Sequence, residues 1–111
     1  MLSILIPTYN YKVYPLACQI KQQALKANII FEIICFDDGS SSKLNFENDK
    51  INTLKNSKFI ALEKNVGLSN NRKELAQSAK YDYLLFIDGD SEIIEKDYIK
   101  QYINSNVMQI F

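Results

Sequence analysis

Short apolar runs alternate with helical stripes along this chain. Leu2 to Ile6 (LSILI) is closed by Pro7 and reads as a buried strand. From Val13 to Ala27, the residues Val13, Leu16, Ala17, Ile20 and Ala24 recur at helical spacing. Pro15 is tolerated only near the first turn of that helix. Phe31 to Phe36 (FEIICF) is the next strand, ended by Asp37-Asp38-Gly39-Ser40. Ser40 to Asn56 is polar, with Leu44, Phe46 and Ile51 as scattered anchors, and predicts a poorly formed helix or an irregular crossover. Lys58 to Leu62 reads as a short strand and Glu63 to Gly67 as a loop. Leu68 to Ala79 reads as a helix with Leu68, Leu75, Ala76 and Ala79 on one face. Tyr83 to Ile87 is the best strand in the chain. Glu95 to Asn104 reads as a final helix, with Ile94, Tyr98, Tyr102 and Ile103 inward.

Strands and helices thus alternate from one end to the other, which implies a parallel sheet with helices on its faces. Apolar runs without polar alternation fit strands buried on both sides. The expected fold class is α/β: an open, Rossmann-like, mainly parallel sheet of about four strands, with right-handed crossovers. Asn106 to Phe111 looks like the start of another strand. The expectation is therefore a chain truncated at its C-terminus. An exposed strand edge there would allow pairing of two copies into a homodimer.

Composition narrows the classes. A chain of 111 residues makes at most one small domain, and 47% apolar content is enough for a core. Net charge is zero, which argues against nucleic acid as a partner. No stretch approaches the ~18 apolar residues of a transmembrane helix, and MLSILIPTYN lacks the features of a signal peptide. Cys18 and Cys35 read as small buried hydrophobes. There is no His, which excludes Ser-His and Cys-His nucleophile pairs and makes zinc chemistry a poor fit. Sequons of the Asn-X-Ser/Thr type are lacking too. A reduced, cytoplasmic protein fits this, reaching the inner face of a membrane only through a part outside these residues.

Candidate chemistry gathers at the strand ends. Pro7-Thr8-Tyr9-Asn10, Asp37-Asp38-Gly39-Ser40, Glu63 to Gly67 and Asp88-Gly89-Asp90 follow successive strands. A parallel sheet places all of them on one edge, where open α/β sheets bind ligands. Carboxylates gathered there repel one another unless a divalent cation joins them. Taken alone, DDGS is more simply a turn. An EF-hand is excluded, because Ile93 stands where that loop needs Gly and Ile99 where it needs Glu. No GxGxxG or Walker loop is present. The sole Arg, Arg72, is placed on the apolar face of its helix near the N-terminal end. It would serve there as a structural ion-pair partner or as a nucleotide contact.

Four segments in order resemble the nucleotide-sugar-binding part of family 2 glycosyltransferases with the GT-A fold. They are SILIPTYN (Ser3 to Asn10), FEIICFDDGS (Phe31 to Ser40), EKNVGLSNNR (Glu63 to Arg72) and YLLFIDGDSEI (Tyr83 to Ile93). The resemblance implies that residues 1–111 are the N-terminal, donor-binding portion of such a domain. It implies that Pro7, Thr8, Tyr9 and Asn10 line the nucleobase and ribose pocket, and that Asp38 accepts a hydrogen bond from the base. Arg72 would sit against the base or diphosphate. Asp88 would face the ribose. Gly89 would let the ligand approach the backbone. Asp90, with Asp88, would hold the Mn²⁺ or Mg²⁺ that bridges the donor diphosphate. The implied donor is a UDP-sugar and the implied outcome is inversion; the acceptor is not readable.

Three features depart from the family pattern: Ser91 stands where a further Asp is common, Lys73-Glu74 follow the Arg, and Lys80-Tyr81-Asp82 precede the last strand without the common Gly. The resemblance also places the acceptor site and the catalytic base beyond Phe111. These residues alone are therefore expected to bind donor and metal without transferring sugar. Rival classes are a nucleotidyltransferase-like or non-catalytic nucleotide-binding module, and a receiver-type signalling domain. The first would open on a Gly-rich basic loop, which PTYNYK lacks. The last expects its acidic pair after the first strand, not the second.

Overall fold

The computed structural model describes residues 1–92 and 97–105. The chain runs β1 (Leu2–Thr8), α1 (Tyr14–Lys26), β2 (Phe31–Asp37), α2 (Asn45–Asn48), a 3-10 turn (Asp49–Thr53), β3 (Ser57–Ala61), α3 (Leu68–Ser78), β4 (Tyr83–Phe86) and α4 (Tyr98–Ser105). The four strands form one sheet in the order β3-β2-β1-β4. Every pairing is parallel, with Leu2 opposite both Phe31 and Tyr83, and Ile33 opposite Ser57. The expected α/β architecture is the one observed.

β1 is buried along its whole length because it has a strand on each side and helices above and below. Alternate residues face opposite layers. Ile4, Ile6, Ile33 and Cys35 pack with Leu16, Ala17, Ile20 and Ala24 of α1, with Ile51 of the 3-10 turn and with Ile99 of α4. On the other face Leu5, Ile34, Phe36 and Leu84 pack with Leu75 of α3. Each such side chain, fully buried, contributes about 1.5–3 kcal/mol.

Several expected details shift. β1 continues through Pro7 to Thr8 instead of stopping at Ile6. Proline is admissible because the β4 ladder ends at Leu5–Phe86, so the missing N–H falls beyond the paired segment. The Pro7 carbonyl still accepts a hydrogen bond from Gly89 N–H at 2.9 Å. Pro15 occupies the first turn of α1, as its chemistry requires. The polar Ser40–Asn56 crossover does form only one short helix and a 3-10 turn. In α4 the fully buried residue is Ile99, which was not among the expected inward set. Tyr98, Tyr102 and Ile103 pack partly against the same layer. Ile94, the helix start at Glu95, the strand start at Asn106–Phe111 and the dimer edge read from it lie outside the described residues. Cys35 is fully buried but Cys18 only half so; both are free thiols.

Candidate functional site

All four strands end on one edge. Going from β1 to β2 to β3 the chain winds one way across the sheet; β4 then joins the opposite side of β1. That reversal leaves a crevice between the loops after β1 and β4. A cleft of about 430 Å³ opens there. Pro7, Thr8 and Tyr9 form one side with Tyr11, and Asp88, Gly89 and Asp90 form another. Asp38, Leu68 and Asn71 complete it. Seven of the residues singled out in the sequence thus meet in one cleft. Asn10 and Arg72 do not line it.

Asp37 and Asp38 are committed to the protein itself. Asp37 is fully buried. Its carboxylate accepts from Asn10 N–H at 3.1 Å, Ser40 N–H at 3.0 Å, the Ser40 hydroxyl at 2.7 Å and Asn45 Nδ2 at 3.2 Å. It ties the loop after β1 to the loop after β2. Asp38 accepts from Val66 N–H at 2.7 Å and Gly67 N–H at 3.0 Å, one on each oxygen. It thereby fixes the loop that leads into α3. These bonds make DDGS a turn, and Asp38 within it also lines the cleft. Gly39 serves the same turn: it has φ +65°, and a side chain there would run into the backbone of Lys64 and Asn65.

After β4 the carboxylates are free to meet solvent. Asp88 and Asp90 are exposed while Gly89 between them is buried. The close approach at Gly89 is to protein, because a Cβ placed there would lie 2.5 Å from Thr8 Oγ1. Asp88 Oδ1 receives Arg72 Nη2 at 3.1 Å. Arg72 is thus ion-paired, with its guanidinium 5.9 Å from the centre of the Phe86 ring. It is not on a buried face. α3 turns Asn71 and Leu75 inward and leaves Leu68 55% exposed. Helices in such a sheet run antiparallel to the strands, so the first turn of α3 overhangs the sheet edge. Leu68 is left exposed there, while Arg72 reaches over Phe86, the last residue of β4.

Among the described residues, two buried side-chain polar atoms have no hydrogen-bond partner: Thr8 Oγ1 and Asn71 Oδ1. Both residues line the cleft. Orphaned buried groups of this kind are uncommon and mark places where a further partner is wanted.

Three carboxylates, Asp38, Asp88 and Asp90, line the one cleft, but they do not form a ready-made metal cage. Among the described residues no group of three or more His, Cys, Asp or Glu side chains is placed to hold a metal ion. Asp37 and Asp38 hold backbone amides, and Asp88 and Asp90 are the exposed pair. Two hard oxygen donors fit a divalent cation whose other ligands are phosphate oxygens and water, and do not fit one held by protein alone.

The sequence profile of glycosyl transferase family 2 matches residues 3–105. The chain belongs to that family. Its fold is the GT-A fold, which it shares with solved structures of TarS from S. aureus. TarS residues 1–349 superimposes with a TM-score of 0.70 at 27% identity, covering 96% of this chain and 33% of that one. The same TarS segment in complex with UDP gives 0.67 at 27% identity, with 96% and 32% covered. In complex with UDP-GlcNAc it gives 0.65 at 25% identity, again with 96% and 32% covered. The chain thus spans about a third of the TarS segment it matches. No curated protein sequence matches it. No helix among the described residues is long and apolar enough to cross a membrane.

Three residues in and behind the cleft escape sequence reasoning. Tyr11 and Asn71 line it, and Asn48 of the polar crossover holds the Tyr11 carbonyl. Asn48 is fully buried; its Oδ1 accepts from Val13 N–H at 2.9 Å and Tyr14 N–H at 3.2 Å, and its Nδ2 donates to Tyr11 O at 2.8 Å. It caps α1, whose own cap residue Val13 offers no side-chain oxygen. The absence of a polar N-cap before α1 was the signal that a distant one is needed.

Proposed function

We propose that this chain is the donor-binding part of a glycosyltransferase that moves a sugar from a UDP-sugar to an acceptor hydroxyl. The observation that carries the reading is the cleft itself. Pro7, Thr8, Tyr9, Asp88, Gly89 and Asp90 meet at the topological switch point of the sheet. Family membership and the TarS complexes with UDP and UDP-GlcNAc support the donor class.

In this reading Tyr9, 57% exposed, offers a flat face to the nucleobase, and the Thr8 hydroxyl gains a partner from the ribose or base. Asp88 exchanges Arg72 for a ribose hydroxyl, which frees the guanidinium for phosphate oxygens. Asp90, with Asp88, would hold Mn²⁺ or Mg²⁺ together with the diphosphate, and the ion would supply charge against the departing UDP. The acceptor oxygen bonds to the anomeric carbon as the bond to phosphate breaks. Inversion is the outcome the family resemblance implies. The acceptor side and the base belong, on this reading, to the region of TarS-like chains that these residues do not cover. The receiver-type alternative is dropped with the family assignment. Free cysteines accord with a reducing, cytoplasmic setting.

Calorimetric titration of UDP into the protein, with and without Mn²⁺, tests the proposal. Metal-dependent binding that Asp90→Ala abolishes is expected. Binding unaffected by both metal and Asp90→Ala would remove the metal part and leave a plain nucleotide-binding module. No UDP binding under either condition would remove the donor assignment.

A further inference from the structure

β3 borders the sheet: among the described residues it has β2 on one side and no strand on the other. In a parallel ladder each residue turns its N–H and C=O to one side, and its neighbours turn theirs to the other. Ile33 N–H donates to Asn56 O and Leu62 N–H to Asp37 O, both at 2.9 Å, so the even-numbered residues of this segment bond β2. Ser57, Phe59 and Ala61 therefore turn their backbone groups outward. A row of that kind is a template for another strand. Here the middle of the row is filled. Asn52, on the 3-10 turn before β3, accepts from Phe59 N–H at 2.9 Å on Oδ1 and donates from Nδ2 to Phe59 O at 3.3 Å. One carboxamide exchanges both bonds with one residue, as a strand residue directly opposite would. Ser57 N–H is met as well, by Leu54 O at 3.2 Å.

We propose that Asn52 is a plug in the edge of β3: its side chain stands in for a neighbouring strand and keeps the edge from pairing with a second copy of this chain. A second copy is the occupant that the edge fits. Paired antiparallel about Phe59, two copies would exchange both Phe59 bonds across a twofold axis. Lys58 of one copy would then lie opposite Ile60 of the other, and Ser57 opposite Ala61, so no like charges would meet. Ile60, 39% exposed, would gain apolar cover from the Lys58 stem. The residue type matters, because a carboxamide carries both a donor and an acceptor. Aspartate would offer only acceptors and alanine neither.

Amide hydrogen exchange and sedimentation velocity on the whole chain test this. In the wild type the Phe59 amide is expected to be protected although it points off the edge of the sheet. Exchange of that amide at the rate of an open one overturns the inference, and that reading needs no variant to fold. Asn52→Ala is expected to speed Phe59 exchange by about tenfold in dilute solution. It is also expected to form dimers at concentrations where the wild type does not. Ala61→Pro removes an outward N–H and leaves the β2 ladder intact, so adding it to Asn52→Ala is expected to abolish those dimers. A folded Asn52→Ala that associates no more than the wild type overturns the inference. So does a dimer of Asn52→Ala that Ala61→Pro leaves unchanged, or wild-type association that Ala61→Pro abolishes.

Discussion

Arg72 Nη2 stands 3.1 Å from Asp88 Oδ1 and joins helix α3 to the loop after β4. The only arginine of the chain and an acid of its cleft are each other's partner. With side chains 44% and 54% exposed, the pair adds little to folding, about 0–1 kcal/mol. Its importance lies in where it holds the guanidinium. Arg72→Ala is expected to leave the thermal midpoint nearly unchanged and to weaken UDP binding by about tenfold. Arg72→Lys should recover only part, because an ammonium lacks the planar fork. Calorimetry beside a thermal melt separates the two effects. A large drop in melting temperature would mean that the pair is structural.

Asn48 is expected to matter for stability far more than its place in a polar crossover suggests. Asn48→Ala leaves the Val13 and Tyr14 amides and the Tyr11 carbonyl without their partner. A loss of about 2–4 kcal/mol is expected in urea unfolding. Asn48→Asp keeps the acceptor for both amides and should lose less. Equal losses in the two variants would show that the cap is not what Asn48 contributes.

Gly89→Ala tests the packing between the two sides of the cleft. The added Cβ would lie 2.5 Å from Thr8 Oγ1 and 2.6 Å from Thr8 Cβ. Thr8→Ser cannot relieve it, because the Thr8 Cβ itself is in the way. The strain should cost about 1–3 kcal/mol and move Asp88 and Asp90 away from β1, so UDP affinity falls together with stability. Unchanged affinity in a destabilised variant would separate the loop position from binding.

Cys35 sets an alkaline limit. Burial pushes its thiol well above the ordinary value, and the neighbouring Asp37 charge adds to the rise. Above about pH 8.5 the unfolded chain loses this proton while the folded chain keeps it. Stability therefore falls as pH rises from there towards the raised value, and Cys35 contributes no slope below it. Cys35→Ala, although less stable, should show a flatter limb between pH 8.5 and 10 in urea unfolding. Parallel curves for the two proteins would refute the assignment. In the native protein a thiol reagent should reach half-buried Cys18 well before Cys35.

The strands were legible because a segment buried on both faces, such as FEIICF, has no competing pattern. Their shared edge followed from the parallel order, and with it the meeting of Thr8, Asp38, Asp88 and Asp90. The face of α3 was not legible. Periodicity put Leu68 with Leu75, but the wheel cannot say where the sheet beneath a helix ends. Leu68 lies past that edge. Asn71 looked like one polar residue among several, since its burial depends on the Phe36 carbonyl of another element. The number of carboxylates at the edge was legible, but not their use. A backbone amide from a loop 28 residues away leaves no trace in the residue that accepts it.

Asp37, Asp38 and Asn48 all bind backbone amides of segments 27 to 35 residues distant. Most of the loops around the cleft are thereby immobilised when the chain folds. The entropy of ordering them falls on folding rather than on association. A nucleotide that enters meets walls already set and surrenders mainly its own freedom. Affinity and stability become linked through these three side chains, so a change that loosens one of them weakens binding without touching the ligand.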